Sequence, residues 1–293
     1  MVSIALAACG DSVPGNSVAS VDGDNITREQ FTHWLGIAAS TSQPQGSDKV
    51  AYNPPQYTAC VANKKKNAPK PAKGQPQQTD AQFRTQCKQE YEGLRDQVMQ
   101  FLILEKWVNG EAEDQGVKVS AAEADKEFNE AKKQSFPQEK DFQEFLKQSG
   151  MTVNDAKFQV RFNTVYTKLR EKAVKGATKV SDKAVADFYE KNKARFATPA
   201  TRDLRVVLTK TEDKANEAKQ QSLKEATPAI KQQLDAQNKQ KADDEFNTAL
   251  RKKWKERTNC ADAFVMSQCK NAPKPKTNTA APGQPQQPDP AQR

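Results

Sequence analysis

Histidine occurs once in 293 residues, at position 33. That scarcity excludes catalytic and metal centres built on several imidazoles. His33 stands beside Trp34 on an apolar helical stripe with no partner motif in view, so it reads as a packed or half-exposed side chain. No two of the five cysteines lie two to four residues apart, and none is near His33, so the ligand spacing of a zinc site is missing. Long hydrophobic runs are absent as well. Only 35% of residues are hydrophobic and the mean hydropathy is −0.91, so the apolar core must be lean and spread along helices. Nothing in the body approaches the run of about 18 apolar residues that a membrane span needs. No catalytic residue, metal or cofactor is expected.

What is present begins at the N-terminus. Leu6-Ala7-Ala8-Cys9-Gly10 has the form of a bacterial lipoprotein cleavage site, in which the cysteine is lipidated and becomes the first mature residue. The run before it is short and lacks Lys or Arg, so the expectation is a signal that begins upstream of Met1 and an anchor at Cys9. A chance cysteine in an Ala-rich start is the plainer alternative. The other four cysteines, Cys60, Cys87, Cys260 and Cys269, form an even set, which in an exported chain favours disulfides. Four cysteines allow three pairings. Cys60–Cys87 with Cys260–Cys269 is preferred because each bond closes a local loop.

The balance of 46 basic and 37 acidic residues leaves a formal charge of +9. Such a surface suits anionic headgroups, wall polymers or acidic unfolded polypeptides. Nucleic acid is not expected, because Lys alternates with Glu, Asp and Gln along helix faces, as around Glu111–Lys118. Asp243-Asp244-Glu245 does not face one way on a helix and reads as a solvated face.

Along the chain, Ser17–Val21 reads as a short strand and Asp22-Gly23 as a tight turn. Thr27 with Gln30 forms a capping box that opens a helix through Phe31, Trp34 and Leu35. Residues 41–79 are polar and rich in Pro, Gln and Lys; nothing there is expected to bury a core, and most of it is expected to be a mobile insertion. The segment Lys66–Pro71 recurs as Lys270–Pro275, and Gly74–Gln78 recurs as Gly283–Gln287. Helical spacing then runs from Thr79–Asp80 through Trp107 to a stop at Gly116. Further helices are expected after Ser120, around Phe142–Leu146, after Thr152 and after Ser181. A strand is expected at Asp203–Thr209, helices near 211–225 and 229–257, and a last strand at Ala263–Ser267. That strand is expected to pair near Val18–Val21. From Asn271 the chain is a Pro/Gln tail.

Three segments taken in order resemble the SurA/PrsA class of extracytoplasmic foldases. They are VASVDGDNITREQFTHWL at Val18–Leu35, the stretches GVKVSAAEADKEF, FLKQSGMTVNDAKFQV and VSDKAVADFYEKNKARF between Gly116 and Phe196, and the returning segment Phe246–Cys269. The resemblance implies a mainly α fold: a helical chaperone domain with a small β element made by N- and C-terminal strands. The expected parts are signal and spacer at 1–17, chaperone domain at 18–200, a vestigial parvulin-like segment at 201–227, the returning chaperone part at 228–270 and a tail at 271–293. In the family a parvulin-type prolyl isomerase is inserted between the chaperone halves, with a site that uses a pair of histidines. Here the first histidine position falls near Val206, and no histidine follows His33.

The function so implied is an ATP-independent chaperone of unfolded exported polypeptides, lipid-anchored outside the cytoplasm and without isomerase catalysis. The alternatives are an active parvulin-type isomerase and a structural, wall-associated lipoprotein. Phe31, Trp34, Phe101, Trp107, Phe158 and Trp254 have helical spacing that suits a core, and they are also the candidates for lining a client-binding surface.

Overall fold

The computed structural model describes residues 13–42, 50–69, 76–177, 179–198 and 219–274. Cys9, the strand expected at Asp203–Thr209 and most of the tail lie outside these residues. The rest is mainly helical with a small sheet, as the resemblance implies.

Strands β1 (Ser17–Val21) and β2 (Asp24–Thr27) form a hairpin around Asp22 and Gly23. Both turn residues have positive φ, 50° and 87°, which is why an Asp-Gly pair stands there. Far along the chain, β5 (Thr258–Cys260) lies antiparallel to the other edge of β1, giving the order β2-β1-β5. Val18, Ala19, Val21 and Ile26 of this sheet are buried. The C-terminal strand is therefore Thr258–Cys260 and not Ala263–Ser267. Residues Asp262–Phe264 instead make a 3-10 turn that seats Phe264 edge-on against Phe31, ring centroids 4.9 Å apart. The outer edge of β5 is closed by its own continuation. Lys270 N–H donates to the Thr258 carbonyl at 2.7 Å, and the Asn271 amide pairs with both backbone groups of Cys260.

Helix α1 (Arg28–Thr41) starts at the Thr27–Gln30 capping box. Helix α2 (Thr58–Asn67) corrects the expectation that nothing in this insertion buries a core. Tyr57, Cys60 and Val61 are buried, and the Cys60–Cys87 bond ties α2 to α3 (Asp80–Asp114). Lys64 and Lys65 add ion pairs to Glu90 and Asp80.

Helix α3 is the axis of the body. It opens at the Thr79–Gln82 box and is buried at Val98, Met99, Leu102, Ile103, Trp107 and Val108, so its apolar residues face several neighbours at once. Gly116, with φ at 65°, follows its end. Helices α4 (Ala121–Ser135) and α5 (Glu139–Ser149) pack through Phe128 and Phe142, and Gly150 in the left-handed region ends α5. Helix α6 (Val153–Val174) begins at Thr152, whose hydroxyl accepts from Asp155 N–H.

Helix α7 (Asp182–Lys191) leads to a two-residue ladder, β3 (Ala197–Thr198) with β4 (Lys219–Gln220). Helix α8 (Leu223–Lys255) then runs 33 residues without a break, where two helices were expected. Pro228 lies within its second turn, where a missing N–H leaves only the Lys224 carbonyl without its helical donor. The four-residue box of Ser222 with Glu225 and the burial of Ala226 and Ile230 hold the helix through that point.

Two apolar cores result. The larger joins β1, β2, β5, α1–α6 and the last turns of α8. The smaller holds Val185, Tyr189, Ala226 and Ile230, with Phe188, Phe196 and Leu234 against them. Between Ile230 and Leu250, about 30 Å of helix, α8 is largely polar and carries pairs such as Lys239–Asp235 and Gln240–Asp244. At its far end Trp254 lies on Gly110 of α3: a methyl group there would come within 2.1 Å of the ring.

Candidate functional site

Phe158, Phe162 and Tyr166 are four residues apart on α6 and so share one face. On that face a row of rings runs from α1 to α8. Trp34 sits 4.8 Å from Phe101 and 5.6 Å from Phe158, and Phe101 sits 5.8 Å from Phe162. Phe162 stacks on Tyr166 at 6.1 Å, and Tyr166 reaches Phe246 of α8 at 6.5 Å. Trp34 is buried, whereas Phe101, Phe158, Phe162, Tyr166 and Phe246 are each half-buried. The row is thus an apolar ribbon across four helices that keeps part of its ring surface in solvent.

Each end of the ribbon is pinned by a polar pair. At the α1 end, His33 Nε2 meets Asp155 Oδ1 at 2.8 Å. Burial pushes the Asp155 carboxyl up, but hydrogen bonds from Thr152 N–H, the Thr152 hydroxyl and His33 outweigh it and hold the carboxyl below its usual range. At the α8 end, Arg170 donates to both Asp243 oxygens, so Asp243 is committed to an ion pair and is not part of a solvated face. The Tyr166 hydroxyl donates to Asn247, and burial raises its pKa.

Beside the ribbon, one turn from Phe101, Glu105 is only 6% exposed. Its carboxyl is pushed up chiefly by burial, against the opposing pull of Lys106 and Arg161, and accepts from Asn109. A surface hollow lined by Gln237, Lys241, Asp244, Thr248 and Lys252 runs along α8 and shares no residue with the ribbon.

The six aromatic candidates separate into two groups. Trp34, Phe101 and Phe158 come together in the ribbon. Phe31 turns to Phe264. Trp107 and Trp254 are anchors inside the core: Trp107 donates to the Thr258 hydroxyl at 2.7 Å and Trp254 to Glu111 at 2.7 Å. Phe162, Tyr166 and Phe246 were not among the candidates. The four-residue spacing 158–162–166 carries a signal for two of them, while Phe246 joins only through the docking of α8.

Cys60–Cys87 has an S–S distance of 2.01 Å and Cys260–Cys269 one of 1.99 Å, so the four cysteines are bonded locally. Among the described residues no cluster of three or more His, Cys, Asp or Glu could hold a metal, and no helix is long and apolar enough to cross a membrane.

A helical body threaded by α3, closed by a sheet that joins both ends of the described chain, is the architecture the SurA/PrsA resemblance implies, and the family comparisons agree. Residues 67–170 match the SurA-like N-terminal domain, and residues 180–282 match the PPIC-type PPIase domain. By these matches the chain is similar to foldases of the SurA/PrsA type. Its relatives include a foldase protein PrsA of Clostridium botulinum (strain Loch Maree / Type A3), 38% identical over 98 residues, which is 33% of this chain and 29% of the relative. A second PrsA, of the Hall strain, is 31% identical over 158 residues, 49% of this chain and 47% of the relative. The chaperone SurA of Hahella chejuensis is 23% identical over 142 residues, covering 48% and 33%. The chain spans less than half the length of these relatives. No solved structure matches it.

The PPIase match corrects the expectation of a truncated remnant at 201–227. The matched span reaches from α7 to beyond β5. The structural reason is that α7 packs on the first turns of α8, so the segments on both sides of 199–218 form one unit around the smaller core.

Proposed function

We propose that this protein is a lipid-anchored chaperone of unfolded exported polypeptides, acting outside the cytoplasm without nucleotide and without prolyl isomerase catalysis. The half-buried aromatic ribbon carries the reading. Its rings are held in place by the core behind them, so their remaining surface is available without a rearrangement. Covering an exposed side chain of Val, Leu, Ile, Phe or Met gains about 1.5–3 kcal/mol, so a few such contacts give weak, reversible binding. The polar pairs at the ribbon's ends keep its rim wet. The foldase and chaperone names of the relatives support the same role and an extracytoplasmic location. The anchor at Cys9 rests on the Leu6-Ala7-Ala8-Cys9 pattern.

The test is aggregation of an unfolded client, followed by light scattering without nucleotide. Suppression at equimolar protein supports the chaperone, and unchanged scattering at several-fold excess favours a structural lipoprotein. The second reading, an active isomerase, is favoured by the PPIC-type match over 180–282. Against it, that span contains no histidine, so the histidine pair of the parvulin resemblance has no counterpart. Turnover of a proline tetrapeptide above the uncatalysed rate would establish the isomerase. For the anchor, expression of the gene in a lipoprotein-processing host should yield an acylated Cys9 peptide, and an unmodified peptide retaining residues 1–8 would refute it.

A further inference from the structure

We propose that the ribbon selects client segments in which carboxylates flank aromatic residues, and that Arg161 and Arg251 make the selection. This rests on the chaperone reading and narrows its substrate class. Arg161 stands between Phe158 and Phe162 on α6, and Arg251 lies one turn beyond Asn247, the partner of the Tyr166 hydroxyl, on α8. Both are exposed, and among the described residues neither makes a hydrogen bond or an ion pair.

Their neighbours differ. Arg170 is held by Asp243, Lys157 by Asp125, Lys168 by Glu123, and Lys253 by Glu111 and Asp114. Most of these cations are therefore committed to internal carboxylates, and the two guanidinium groups are among the exceptions. Glu105 is buried on α3 and bonded to Asn109, and it makes no ion pair with Arg161.

An arginine beside half-buried rings offers two matched contacts. Its planar fork bonds a carboxylate through two N–H groups, and its flat face stacks on an aromatic ring. A segment that places Phe, Tyr or Trp on the ribbon and Asp or Glu one or two residues away satisfies both. A Lys-flanked segment meets two uncompensated like charges on a chain of formal charge +9. The occupant is accordingly an acidic, aromatic stretch of unfolded polypeptide.

The experiment measures fluorescence anisotropy of three short labelled peptides against the full protein: Phe flanked by Glu, Phe flanked by Lys, and Ser flanked by Glu. The Glu/Phe peptide should bind about tenfold or more tightly than either other peptide, and the preference over Lys/Phe should fade with salt. In the R161Q/R251Q variant the preference for Glu over Lys should collapse while the preference for Phe over Ser remains. K140Q/K147Q, which removes two exposed cations from α5, should keep both preferences. Equal binding of Glu- and Lys-flanked peptides overturns the proposal, as does an equal loss in both variants, which would show a general charge effect. Equal binding of the Ser peptide overturns it too, as a bare polyanion patch. If the protein suppresses aggregation but shows no charge preference, this inference fails and the chaperone reading stands. Failure of both assays removes both.

Discussion

The body and the arm are built from the same kinds of helix yet are stabilised on different scales. The body buries all three tryptophans, both disulfides and a sheet that ties residue 17 to residue 260. The arm, α7 with the first turns of α8 and the β3–β4 ladder, rests on four buried side chains and their half-buried neighbours. One helix belongs to both. Cooperativity should therefore be strong within the body and should weaken along the polar stretch of α8, because little apolar contact crosses it.

The largest test of that contrast is Trp254→Ala. The indole fills the space over Gly110 and donates to Glu111, so its loss should cost about 3–5 kcal/mol and lower the urea midpoint of the whole body, read by the remaining tryptophans. In the arm, Ile230→Ala should cost about 2–5 kcal/mol, but locally. Hydrogen exchange should rise in α7 and residues 223–234 while the tryptophan-detected midpoint stays put. An equal shift of that midpoint would show that the two cores unfold as one.

Cys60→Ser with Cys87→Ser should cost about 2–4 kcal/mol, expose α2 to protease and leave exchange in the arm unchanged. Smaller still is Glu111→Gln, at about 1.5–3 kcal/mol for the weakened bonds to a charged acceptor. Burial raises the Glu111 carboxyl, but donors from Lys253 at 2.6 Å, Gln115 at 2.8 Å and Trp254 outweigh it and hold it below its ordinary 4.5. With its folded pKa below the unfolded one, its stabilisation is complete above the ordinary value and is lost as pH falls through the lowered value. The gap between wild type and Glu111→Gln should thus be present at neutral pH and vanish in strong acid. A gap independent of pH would mean that shape, not charge, matters there.

The sequence makes some of this legible. Thr27–Gln30, Thr79–Gln82, Thr152–Asp155 and Ser222–Glu225 close capping boxes with local chemistry alone, so helix starts can be read residue by residue. Helix α2 is harder: its four apolar residues, Ala59–Ala62, are consecutive and show no period, and it is the bond to Cys87 that gives Cys60 and Val61 a core. Thr258-Asn259-Cys260 has no alternation to announce a strand and becomes one because β1 offers a free edge. Val265 and Met266, which look more strand-like, follow the 3-10 turn that Phe264 needs to reach Phe31. The ribbon is legible only along α6, since Trp34, Phe101 and Phe246 meet it through tertiary packing. Arg161 and Arg251 stand out only once their neighbours' partners are known.

The placement of β1 has a mechanical side. It lies between β2 and β5, antiparallel to both, at the start of the described fold. A pull on the chain ahead of Ser17 acts along this strand, so it loads both ladders in shear and cannot peel off one hydrogen bond at a time. The Asp22 amide bond to the Arg257 carbonyl, at 2.8 Å, backs the far end of the strand. Force applied there must slide a strand past two neighbours at once before it reaches any helix.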